Sequence, residues 1–301
     1  MAVSHVIVRS TGLELSRLVA GCWRLVQWNK TRSELDAWIR GCLDLGVTSF
    51  DHADIYGGYA CEAAFGEALE PSLRRRVKLI TKCGVGLVSA ERPGNRVHHY
   101  DTSRGHIVAS AEGSLRALRT NYLDLLLIHR PDPLLDADEV SAAFESLHRT
   151  GKVLHFGVSN FMPWQFDLLA DRLGFPLVTN QIELSVGHLE PLGDGTLDQC
   201  QRLRIPPMAW SPLGGGALLR SEDARWQRVR NALSRVGSRY GGASLEQLAI
   251  AWLLRHPAGV VPVLGTGRLE RLGGLAEAER IELDRQDWFE IWEASAGHEV
   301  P

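Results

Sequence analysis

A chain of 301 residues with 45% hydrophobic and 23% charged residues has the make-up of an ordinary globular protein, with material for one large core or two average domains. Its formal net charge of -3 argues against a nucleic-acid or membrane-surface binder, and no apolar run is long enough to cross a bilayer. Cysteines at 22, 42, 61, 83 and 200 form no CxxC pair and read as reduced, buried thiols; residues 1–20 lack the sections of a signal peptide, so the expected location is cytoplasmic.

Residues 3–13, with Thr11-Gly12 near their end, predict a hairpin. Short apolar runs then recur at Arg17–Gly21, Val47–Phe50, Val77–Thr81, Leu123–Ile128, Val153–Val158, Leu177–Asn180, Pro207–Trp210 and Val260–Leu264. Most are apolar throughout rather than alternating, the pattern of parallel strands covered on both faces. Helical stripes lie between them. Thr31 and Glu34 form a capping-box pattern before Leu35, Trp38, Ile39 and Cys42, and Asp136 with Glu139 precedes Val140, Ala143, Phe144 and Leu147. Ile107, Ala111, Leu115 and Leu118 make a further stripe, and Ser244 with Gln247 opens another before Trp252. Three stretches break the rhythm, 84–104, 185–196 and 212–237, and are expected to be long loops. Arg74-Arg75-Arg76 is expected to be a solvated turn, and Trp288 with Trp292 the buried stripe of a final helix.

Eight strand-and-helix units without a linker predict an α/β fold with one domain over residues 1–301. The expected form is a single (β/α)8 TIM barrel with an N-terminal β-hairpin and a C-terminal helical extension. A doubly wound open sheet is the competing arrangement, because periodicity does not report closure.

Chemistry in such barrels gathers where strands end. Asp51 follows the second run and Tyr56 lies just beyond; Lys82 ends the third, in "LITKCG", and His129 the fourth, in "DLLLIHRPD". Singly these read as a cap, a snorkelling lysine and a hydrogen-bonded histidine. Jointly they bring a carboxylate, a phenol, an ammonium and an imidazole to one mouth. A free phenol, with a pKa of about 10, is a poor acid near neutrality. A neighbouring ammonium favours the phenolate, a carboxylate keeps the ammonium charged, and a neutral imidazole can orient a carbonyl oxygen. The set suits proton donation to an oxygen becoming an alkoxide, with hydride from a cofactor. His98-His99 on a loop lacks further ligands, so no metal is expected. Asp54 has no role beyond a cap.

Seven segments carry a resemblance over nearly the whole chain: "GVTSFDHADIYGG", "LITKCG", "YLDLLLIHRPDP", "GKVLHFGVSNF", "LVTNQIELS", "PPMAWSPLGGG" and "VPVLGTGRLERL". In these the chain resembles the aldo-keto reductases, and is most similar to a bacterial subgroup of poorly defined physiological role. The resemblance implies a catalytic tetrad of Asp51, Tyr56, Lys82 and His129 with Tyr56 as general acid. It implies that Ser159, Asn160 and Gln181 hydrogen-bond the nicotinamide carboxamide, and that Trp210 stacks on the ring where the family commonly has Tyr. Ser211, Leu213 and Gly214 would lie along the pyrophosphate.

After the eighth run, Gly265-Thr266-Gly267 opens a short helix, yet Arg268 and Arg271 fall near its start. A helix N-terminus disfavours cations, so these are either two exposed arginines accepting a small penalty or partners of a phosphate. The resemblance places the adenosine 2′-phosphate of NADPH here, which implies NADP over NAD; the family's adenine-contacting pair is replaced by Gly273-Gly274-Leu275. Trp23 and Tyr59 are candidate substrate-pocket walls. The expected function is NADPH-dependent reduction of an aldehyde or ketone, a small-molecule carbonyl partner, by a monomer or weak homo-oligomer. Two alternatives stand beside it: a regulatory subunit that binds NADP with little catalysis, and a Schiff-base lyase or aldolase using Lys82.

Overall fold

The computed structural model describes residues 2–301. Eight parallel strands close into a barrel: Val19–Gly21, Ser49–Asp51, Lys78–Cys83, Leu123–Ile128, Val153–Ser159, Leu177–Glu183, Met208–Trp210 and Val261–Leu264. Each pairs with its neighbour in sequence, and the last returns to the first through Val263 opposite Val19 and Leu264 opposite Ala20. Closure excludes the open-sheet alternative. Lys82 and Gln181 lie inside strands, paired opposite Leu127 and Ser159, although the apolar runs stop at Thr81 and Asn180. A polar side chain aimed into the barrel ends an apolar run without ending the ladder.

The hairpin forms between His5–Val8 and Leu13–Ser16, with Gly12 at a φ of 74° in the turn. Ser16 Oγ accepts from the Thr48 and Ser49 amides at 3.2 and 3.1 Å, so the hairpin covers the N-terminal mouth of the barrel beneath the second strand. The arginine triplet lies in a turn with Arg75 and Arg76 exposed, as expected, but Arg74 departs from expectation. Pro71–Arg76 is a 3-10 turn, and the Arg74 guanidinium is enclosed, donating to Asp124 Oδ2 at 2.9 Å and stacking over the Tyr122 ring. Asp124 lies inside the fourth strand and also accepts from the Leu79 amide, so this pair ties the third and fourth strands together.

The helices begin where their caps predict. Thr31 and Ser244 form full capping boxes with Glu34 and Gln247, and Asp136 accepts from the Asp138 and Glu139 amides. The stretch 212–237 is not a loop. It contains a short 3-10 turn, the helix Ala217–Arg220 and most of the helix Ala224–Arg239, whose buried side comprises Val229, Ala232, Leu233, Val236 and Gly237. The 84–104 stretch carries a small ladder between Val85–Gly86 and His99–Tyr100, and 185–196 a turn at Glu190–Leu192.

The final helix, Arg285–Ala296, lies on the barrel wall with Ile291 fully buried and Trp288 and Trp292 half-buried. Trp288 stacks on Trp252 with ring centres 4.7 Å apart, and each indole N–H donates to the other residue's carbonyl. No helix among the described residues is long and apolar enough to cross a membrane.

Candidate active site

The second strand ends at Asp51, and the chain then turns so that Tyr56 faces back across the strand end. Lys82, on the neighbouring strand and 1% exposed, stands between the two. Its Nζ donates to both Asp51 carboxylate oxygens at 2.8 Å, to the His52 carbonyl at 2.8 Å and to Tyr56 Oη at 3.0 Å. Burial pulls the Lys82 pKa down, but Asp51 and Tyr56 outweigh it and the net direction is up, so the group stays an ammonium. Tyr56 is displaced upward, chiefly by burial of its phenol, with Lys82 opposing and Asp51 reinforcing. The phenol therefore keeps its proton throughout the neutral range.

His129 follows the fourth strand, its ring centre 5.9 Å from that of Tyr56. Burial, then Lys82 and Arg130, hold its pKa well below the usual imidazole value, so the ring is neutral. A neutral ring offers one N–H to an oxygen without adding a charge.

Beside this group runs a second network. Gln181 Nε2 donates to Asp51 Oδ1 at 2.7 Å, which leaves Gln181 Oε1 without a protein partner among the described residues. Ser159 Oγ donates to the Gln181 carbonyl at 2.7 Å, and Asn160 Nδ2 donates to Ser159 Oγ at 2.8 Å. Trp210 Nε1 donates to Asn160 Oδ1 at 2.9 Å. Asn160 and Ser211 both adopt left-handed backbone, with φ of 60° and 50°. Such conformations are held by their surroundings and cluster at functional sites.

These residues line one cleft of about 780 Å³ at the C-terminal mouth of the barrel. Asp51, Tyr56, His129, Ser159, Asn160, Gln181 and Trp210 face it, as do Ser211, Leu213, Gly265, Thr266 and Arg271 farther along, and Trp23 at the rim. Lys82 sits behind the lining, reaching it through Tyr56.

Several expected members stand elsewhere. Tyr59 holds the 84–104 stretch instead of walling the cleft: its hydroxyl accepts from the Leu87 amide at 3.0 Å and Arg92 lies over its ring. Gly214 and Gly267 are spaces for tryptophans; a Cβ there would lie 2.4 Å from Trp226 and 2.6 Å from Trp28. Arg268 is exposed, at the cap of the helix Leu269–Ala276, outside the lining. Arg271 pairs with Glu246, which accounts for part of the charge that looked anomalous at a helix start.

The cleft also takes in residues that sequence reasoning missed. Arg24 and Arg130 line it, next in sequence to Trp23 and His129; their place beside two candidate residues was the available signal. Arg130 lies over Trp210, 5.5 Å from the ring centre.

The profile of the Aldo/keto reductase family matches residues 17–296. This chain belongs to that family. It is 52% identical over 301 residues to the oxidoreductase YdhF of Escherichia coli, covering 99% of this chain and all of that one. It is 47% identical to a 6-dehydroglucose reductase of Agrobacterium fabrum, over 98% of this chain and 99% of the relative. Among solved structures, the thermostable aldo-keto reductase Tm1743 superposes with a TM-score of 0.80 at 26% identity, covering 97% and 99% of the two chains. As an aldo-keto reductase the protein is an oxidoreductase of the carbonyl-reducing type, and its barrel is the family's barrel.

Proposed function

We propose that the protein reduces an aldehyde or ketone to the alcohol with NADPH, using Tyr56 as proton donor. The observation that carries this reading is the Lys82 ammonium, bonded at once to Asp51 and to the Tyr56 phenol, with a neutral His129 beside it. Asp51 and Lys82 hold the phenol in place and stabilise the phenolate left when its proton moves to the substrate oxygen. His129 donates a hydrogen bond to that oxygen and fixes the carbonyl's orientation. Tyr56 recovers its proton from solvent.

The cleft's chemistry fits a nicotinamide dinucleotide. Gln181 Oε1 and Ser159 and Asn160 would hold the carboxamide, and the Trp210 indole would stack on the ring. Ser211 and Leu213 would flank the pyrophosphate, with Gly214 shaping their turn, while Gly265, Thr266 and Arg271 would hold the adenosine end and its 2′-phosphate, with Gly267 and Arg268 leading into the helix beside it. When bound, NADPH supplies the hydride that no side chain carries.

Trp23, Arg24 and Arg130 sit where a substrate would enter, and Arg24 and Arg130 offer hydrogen-bond donors to hydroxyl groups. The 47% identity to a 6-dehydroglucose reductase favours a polyhydroxylated aldehyde among the candidates. A single barrel, acting alone or in weak association in the cytoplasm, suffices for this chemistry.

The test is a fluorescence titration with NADPH and NADH, followed by absorbance assays on a carbonyl panel that includes an oxidised hexose. The expected result is NADPH-selective binding with turnover of at least one aldehyde. Binding without turnover moves the reading to a regulatory subunit, and failure to bind either nucleotide overturns it. Borohydride trapping of a carbonyl compound on Lys82 would support a lyase instead.

A further inference from the structure

The third barrel strand presents opposite faces to two different sets of groups. Side chains alternate along a strand, so Lys82 points into the barrel and Thr81 outward. Thr81 Oγ1 donates at 2.5 Å to Glu62, a residue only 4% exposed on the helix Cys61–Ala68. Asp54 is held next to it. Its amide donates to the Lys82 carbonyl at 3.1 Å, and its carboxylate accepts from Ser110 Oγ, on the helix Arg104–Ala117, at 2.5 Å. Two enclosed carboxyl groups thus sit behind the strand that carries the ammonium, and the reduction chemistry uses neither.

The other groups facing this pair come from every surrounding element. Ser114 faces Glu62 from the helix Arg104–Ala117, and Arg92 faces Asp54 from the 84–104 stretch. The Lys82 ammonium lowers both carboxyls, Asp54 raises Glu62, and both carboxyls raise the Cys83 thiol.

Resting on the reduction reading above, we propose that Glu62 and Asp54 are positioning residues, a buried carboxyl pair that sets the acidity of the Tyr56 phenol through Lys82. Burial pushes Glu62 up to about 7 and Asp54 up to about 6, with the Thr81 and Ser110 hydrogen bonds holding each partly back. The charge behind the strand therefore changes within the neutral range. When the pair is ionised, two negative charges offset the ammonium's field and Tyr56 holds its proton more tightly. When the pair is protonated, the full field of Lys82 favours the phenolate and Tyr56 is the stronger acid. The carboxyls exchange protons with solvent only; none passes along the strand.

The test places fluorotyrosine at position 56, which lowers the phenol's range toward neutrality, and follows its titration by fluorine NMR in the full-length protein. Glu62→Gln is expected to lower the phenol's pKa by about one unit, roughly tenfold in proton affinity, the order of effect of one unit charge acting through protein across a strand. Asp54→Asn should move it the same way. Thr81→Val, which removes the hydrogen bond that favours the ionised Glu62, should shift the pH of the charge change upward without abolishing it. In steady-state assays of the natural protein, kcat/KM for reduction should fall as pH rises between about 6 and 7, and the upper part of this step, near 7, should be lost in Glu62→Gln with KM little changed. A phenol that titrates alike in wild type, Glu62→Gln and Asp54→Asn overturns the proposal whether or not any carbonyl is turned over. A shifted phenol in a protein that neither binds NADPH nor turns over a carbonyl sustains the coupling and overturns the reduction reading instead.

Discussion

Opposed influences act on Tyr56: burial and Asp51 hold its proton on, and Lys82 at 3.0 Å favours the phenolate. Removing the hydroxyl alone separates chemistry from binding. Tyr56→Phe is expected to lower kcat by about 10²- to 10⁴-fold, the usual worth of a general acid, with NADPH affinity nearly unchanged. Stopped-flow turnover beside a fluorescence titration measures both. Trp210 tests the neighbouring network. Trp210→Phe keeps an aromatic face but leaves Asn160 Oδ1 without its indole donor. A lost hydrogen bond of about 1 kcal/mol predicts roughly fivefold weaker NADPH binding, read by the same titration. The four residues proposed as a tetrad could be singled out because each is a chemically distinct side chain at, or just beyond, the end of an apolar run. The bonds Gln181–Asp51 and Trp210–Asn160 were not, since they join residues far apart in sequence whose meeting depends on closure of the barrel. Arg74 shows the reverse error: a charge run read as solvated places one guanidinium against Asp124, which the apolar "LDLLLI" run concealed.

Among the elements, the segment after the seventh strand departs most from expectation. Its apolar stripe, Val229, Ala232, Leu233 and Val236 behind the Asp223 cap, has helical spacing, but five arginines between 225 and 239 and three glycines at 214–216 disguise it as a polar loop. The glycines have a packing purpose. Trp226 from this helix reaches across to Gly187 and Gly214, where a Cβ would lie 2.2 and 2.4 Å from the indole. Gly214 also needs its left-handed φ of 60°. Gly214→Ala is therefore expected to cost about 2 kcal/mol in urea unfolding, from overpacking together with backbone strain. It should also weaken NADPH binding, because Ser211 and Leu213 on the same turn line the cleft. Unchanged unfolding would mean that the helix Ala224–Arg239 moves freely against the barrel. Strand boundaries were read to within three residues; the third and sixth strands run past their apolar runs where a polar side chain points inward, at Lys82 and Gln181, and the first and second start two residues later than Arg17 and Val47.

For the whole molecule, eight units in one closed sheet and a core continuous from Val3 to Ile291 make residues 1–301 a candidate for a single cooperative unit. Its response to acid then depends on buried groups near the strand that carries Lys82. His52 is fully buried against Phe65, neither ring nitrogen has a protein partner among the described residues, and burial followed by Lys82 lowers its pKa to about 3. Folding favours its neutral form, so its contribution is complete above the ordinary histidine value of 6.5 and is lost as pH falls from there toward about 3. Glu62 and Asp54 act with the opposite sign. Their raised pKa values mean that the fold binds their protons more tightly than the unfolded chain does, so their contribution is greatest in acid and is lost as pH rises through about 6 and 7. The two trends partly cancel in the natural protein, and removing the histidine exposes the carboxyl trend. His52→Leu, compared with wild type by urea unfolding at pH 7 and pH 5, should become relatively more stable at the lower pH by about 2 kcal/mol. A stability difference that is the same at both pH values would mean that the imidazole reaches solvent in the folded protein, and that the space behind the second and third strands is not sealed from water.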